Sequence, residues 1–175
     1  LRYLLASPVP RTRLLIQKMK VSLTLSLIAV LLVPLSSWIV GAIAFGVAPL
    51  QTPLGVTFDN SLTFTRLAIM TVYLALSLLF VAGLAFYLSV RTDAPLGAVG
   101  GAVGISILLT ILDAISALGS LRQWLPVHYA DTWLDALSTT IDWSQMAKGA
   151  SYCAISGILF YALAINKFAK KDITS

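Results

Sequence analysis

Glutamate is missing altogether, histidine and cysteine occur once each, and only 11% of the 175 residues carry a charge. Each scarcity closes off a class of chemistry. Paired-carboxylate catalysis and His/Cys/Asp/Glu metal clusters have almost no raw material here. Cys153 has no partner within the chain for a disulfide and is assigned no role. The lone histidine, in Leu125-Pro126-Val127-His128-Tyr129, has no serine or cysteine nucleophile in a recognisable motif beside it, and reads as a structural or interfacial residue. Phosphate loops are absent as well, because the glycines at positions 97 to 104 lack a following Lys-Ser/Thr and lie in an apolar run. The +5 net charge is not laid out as a basic stripe with interleaved aromatics, so it does not read as a nucleic-acid surface. No catalytic, cofactor or metal site is expected in this chain.

What the sequence has instead is apolar residues, 58% of the total, gathered in long blocks with few or no charges inside them. A soluble domain of this size distributes such residues in periodic stripes, whereas uninterrupted blocks of this length span bilayers. The reading is an all-α integral membrane protein of four transmembrane helices, at about 21–46, 65–90, 95–118 and 149–166. Residues 1–20 form a cytoplasmic segment and elbow, and residues 21–175 the transmembrane domain. Pro34, followed by Ser36 and Ser37, predicts a kink in the first span. The third span carries Gly97, Gly100, Gly101 and Gly104, small-xxx-small pairs that let another helix approach closely or that supply a hinge.

Between the third and fourth spans, residues 119–148 differ in character, with Trp124, Trp133, Trp143, His128 and Tyr129. From Ala130 to Ile141, Trp133, Leu134, Leu137 and Ile141 fall on one helical face and Asp131, Asp135, Ser138 and Thr139 on another. An amphipathic helix at headgroup depth, on the outer side, is expected. Asp113 interrupts the third span, and an ionisable residue there is a pathway candidate by default. At ~1.5 Å per residue from Pro95 it lies near the outer boundary, where pairing with Arg122 or Arg66 is the competing reading.

Orientation follows from the basic residues near the span ends. Arg2, Arg11, Arg13, Lys18, Lys20, Arg91, Lys167, Lys170 and Lys171 fall on one side, against Arg66, Arg122 and Lys148 on the other, so both termini are placed in the cytoplasm. From the residues alone, the N-terminal elbow is partly apolar and basic, suited to a partner or to anionic lipid headgroups.

Three strings carry a resemblance. LRYLLASPVPRTRLLIQK, at 1–18, resembles the cytoplasmic segment of type 2 ABC-exporter permeases, with Pro10 where that family usually has serine. WLPVHYADTW, at 124–133, is similar to the family's outer loop before its last span, and FAKKDITS, at 168–175, to its usual ending. The strings occur in the family's order along nearly the whole chain. The resemblance implies a six-span permease of a cell membrane, of which these would be the last four spans, the upstream spans being missing from this chain. It also implies a cytoplasmic ATPase subunit that binds ATP-Mg and docks on the N-terminal segment, with Arg2, Tyr3, Leu4, Leu5, Pro8 and Arg11 as candidates, and a second permease subunit or half. The function expected is the membrane-spanning permease subunit of an ATP-driven exporter, forming the substrate pathway. The alternatives are a structural or assembly membrane protein that binds other transmembrane helices, and a carrier or channel, which the lack of central charge disfavours.

Overall fold

In hydrocarbon every backbone N–H and C=O must be satisfied within the chain, so long apolar runs resolve as helices. The computed structural model describes residues 11–46, 49–92 and 94–169. Most of them lie in four helices: α1 (Arg11–Phe45), α2 (Asn60–Arg91), α3 (Pro95–Ala114) and α4 (Trp143–Ala169). All four are long and apolar enough to cross a membrane. The 20 residues of α3 reach ~30 Å, the thickness of a bilayer core, while the 35 of α1 and 32 of α2 extend well beyond it.

The helices do not begin and end where the apolar blocks do. The basic stretch from Arg13 to Lys20 is already helical and continues without interruption through Pro34 to Phe45. Ser36 Oγ donates to the Val33 carbonyl at 3.0 Å beside that proline. Gly46, at φ 76°, then accepts the left-handed geometry that stops the helix. Two short antiparallel strands, β1 (Leu50–Gln51) and β2 (Thr57–Phe58), pair Leu50 with Phe58 and lead into α2. Pro95 opens α3 at a position where its missing N–H costs nothing. That helix stops at Ala114 instead of continuing to Leu118. α4 starts at Trp143 rather than near Gly149, because the Asp142 carboxylate accepts the Gln145 backbone N–H at 3.1 Å and caps the first turn.

The arrangement is built around α2 and α4. Gly83 abuts Gly157 and Phe86 meets Tyr161, so the two helices ascend together and are parallel. α3 folds back along α2, bringing Gly101 under Leu88. α1 runs antiparallel to α2, with Trp38 against Phe64. Phe80, Leu84, Ala102 and Cys153 form one buried cluster, and Tyr73, Ala136 and Met146 another. Outside these clusters the helices present Leu25, Leu32, Val33, Ile43, Leu108 and Ile155 as exposed surface, which only lipid or further helices can cover.

Between α3 and α4 the chain forms two stretches of 3-10 helix, Ser116–Trp124 and Pro126–Leu137, the second overlapping the segment from Ala130 to Ile141 in which an amphipathic helix is expected. Gly119, at φ 52° and ψ −125°, breaks the first stretch. Of the expected apolar face, Trp133 and Ile141 pack onto Tyr73, Ala136 and Met146, and Leu134 remains exposed. This segment caps the end of the bundle at which α2 and α4 begin.

Candidate functional site

Asp113 is the penultimate residue of α3, and a carboxylate there opposes the negative end of the helix dipole. The cap supplies the compensation. His128 Nδ1 lies 2.7 Å from Asp113 Oδ1 and, since an ionised carboxylate only accepts, carries the proton and donates it. Arg122 Nε stands 3.5 Å from the same oxygen, close enough for charge attraction but without the alignment of a hydrogen bond. All three side chains are partly shielded, the carboxylate most of all at 19% exposure. Arg66, the other sequence-level partner for Asp113, is used elsewhere: it donates to the carbonyls of Ala136 (3.4 Å) and Thr139 (3.2 Å) and lies over the Phe58 ring.

Around this cluster the cap is stitched to the helices by aromatic residues. The Tyr73 hydroxyl, deep on α2, donates to the Tyr129 carbonyl at 2.6 Å and lies 2.8 Å from Thr132 Oγ1. Tyr129 stacks on Tyr152 of α4 with ring centroids 5.5 Å apart, His128 meets the Tyr129 ring edge-on, and Trp124 meets Tyr152 likewise. Burial, with Tyr152 beside it, pushes the Tyr129 phenol above its ordinary range. Nothing in this assembly pairs a nucleophile with a base; among the described residues no group of three or more His, Cys, Asp or Glu side chains is placed to hold a metal ion. What the arrangement does chemically is fasten the segment between α3 and α4 to three helices, through the Asp113 cluster on α3, the Tyr73 hydroxyl on α2 and the Tyr129–Tyr152 stack on α4.

The glycines divide unequally. Of the four in α3, Gly101 lies under the tip of Leu88, Gly97 touches only its own entry turn, and Gly100 and Gly104 face open space. The tight approach is instead between α2 and α4. A β-carbon on Gly157 would stand 2.6 Å from the Leu79 carbonyl oxygen, and one on Gly149 would strike the Tyr73 hydroxyl and come within 2.6 Å of Tyr129 Cβ. Gly149, Cys153, Gly157 and Tyr161 recur every four residues and are all buried, a stripe visible in the sequence but obscured by the denser glycines of α3.

Of the docking candidates, Arg2, Tyr3, Leu4, Leu5 and Pro8 lie outside the described residues, and Arg11 opens α1. No curated protein and no solved structure matches the chain. A family model described as a protein of unknown function, DUF2705, matches residues 2–174, and the chain belongs to that family.

Proposed function

We propose that the chain is the membrane-spanning permease subunit of an ATP-driven exporter, coupled through its N-terminal segment to a separate cytoplasmic ATPase. The observation that carries this reading, beside the ordered resemblance of the three strings, is the continuity of α1. Arg13, Lys18 and Lys20 belong to the same helix as the apolar run that follows, so a force applied at the N-terminal segment is delivered along a single rod into the bundle. Only Leu15 of α1 is buried among its described side chains, and a shallow cavity of about 240 Å³ separates α1 from α2 near Leu27 and Leu79. A loosely packed helix of this kind is suited to rigid-body displacement.

In this reading both termini are cytoplasmic, the cap over α2 and α4 lies at the outer face of a cell membrane, and its exposed Trp124 and Trp143 sit at headgroup depth. Asp113 then anchors the cap. The open Gly100 and Gly104 of α3 favour contact with further helices, from a second permease subunit or upstream spans. That same open face is what a structural or assembly protein would use. Purifying the tagged chain from its native membrane in mild detergent separates the two: the exporter reading predicts a co-purifying subunit that hydrolyses ATP, and recovery of membrane partners without ATPase activity contradicts it.

A further inference from the structure

Between the first halves of α2 and α4 the surface holds an apolar groove of about 440 Å³, bounded by Ile69, Tyr73 and Leu76 on one side and Trp143, Ala147 and Ala150 on the other. Its wall on α2 runs from Ala68 to Leu76, which at ~1.5 Å per residue is ~12 Å, close to the depth of a single leaflet. Arg66 does not line the groove itself; it stands three residues before Ile69 and seven before Tyr73, on the same stripe of α2 and just beyond the end of the wall at Ala68. Its guanidinium is held by two neutral carbonyls and the Phe58 ring, and among the described residues no carboxylate lies within salt-bridge distance of it. On the α4 side of the groove Trp143 is 60% exposed, a residue type that favours headgroup depth.

We infer that this groove binds one anionic phospholipid, an acyl chain lying along Ile69, Leu76 and Ala147 and the headgroup phosphate facing Arg66. A cation fixed above an apolar slot one leaflet deep matches an anionic amphiphile in both charge and length. A transmembrane helix from another chain would cover the same apolar wall but would leave the Arg66 charge uncompensated at its interface. The site does not depend on an ATPase partner and stands apart from the transport reading.

Native mass spectrometry of the full chain in detergent, with equimolar phosphatidylglycerol and phosphatidylcholine of matched acyl chains, tests it. Wild type should retain phosphatidylglycerol about fivefold over phosphatidylcholine, the share of one cation at a membrane surface. Arg66→Lys should keep that preference, and Arg66→Gln should equalise the two lipids. Ala147→Phe, at an exposed position that fills the groove, should lower retention of both by a similar factor. Equal retention of the two lipids by wild type, or retention by Ala147→Phe at the wild-type level, would overturn the assignment.

Discussion

A β-carbon on Gly83 would stand 2.6 Å from the carbonyl oxygen of Gly157, so α2 and α4 meet backbone to backbone with no side chain between them. Neither carbonyl nor helix axis has a flexible end that can swing aside. Gly83→Ala and Gly157→Ala should each destabilise the protein by about 1–3 kcal/mol, the range for overpacking. Gly100→Ala, in open space, should be neutral or slightly favourable, since alanine is the better helix former. Thermal unfolding in detergent distinguishes these, and equal midpoints for Gly157→Ala and Gly100→Ala would remove the seam from the account.

The fastening of the cap to α3 makes a second prediction. Asp113→Ala and His128→Ala should each cost about 1–2 kcal/mol, and the double variant should cost little more than either, because both remove one hydrogen bond. Arg122→Gln should cost less, its contact with Asp113 lacking hydrogen-bond alignment. The check is a double-mutant cycle on the unfolding midpoint. Fully additive losses would mean that the two residues act separately.

Topology is open to direct labelling. Cysteines placed singly at Asn60, Ser120 and Ser175 in a Cys153→Ser background should react with an impermeant thiol reagent from outside, outside and inside respectively. Labelling of position 175 from outside would reverse the orientation derived from the basic residues.

How much of this was legible beforehand depends on the physical signal each feature leaves. Membrane helices announce themselves through hydropathy, and the four apolar blocks became α1 to α4. Their ends did not, because a helix extends as far as its caps allow. Asp142 with Gln145 three residues on is a readable cap, but hydropathy alone does not mark it. The end of α3 at Ala114 leaves no comparable mark. β1 and β2 were unreadable for a different reason: two residues each are too few for any alternation. Glycine density alone does not locate the seam: it is highest at Gly97, Gly100, Gly101 and Gly104, of which Gly101 lies under Leu88, while the backbone-to-backbone approach within the chain is made by Gly83 on α2 and the four-residue stripe of α4. The position of Asp113 near a helix end followed from counting residues, whereas His128 as its partner required the cap to fold back, a long-range event that no local pattern encodes.

The proposed coupling to an ATPase rests on residues 1–10 together with the start of α1, and the two readings of that segment separate on substitution. Contact with anionic headgroups needs charge and little shape, while docking needs an apolar tip seated in a partner, with charges around it to orient the encounter. The direct measurement is recovery of the ATPase subunit from detergent extract by the tagged chain, with a membrane-fraction blot in parallel, for wild type, Leu4→Asp and Arg11→Gln. The account predicts that Leu4→Asp inserts normally but loses the ATPase, and that Arg11→Gln loses less of it. Recovery of the ATPase by Leu4→Asp at the wild-type level, or the absence of any ATPase from the wild-type preparation, would contradict it.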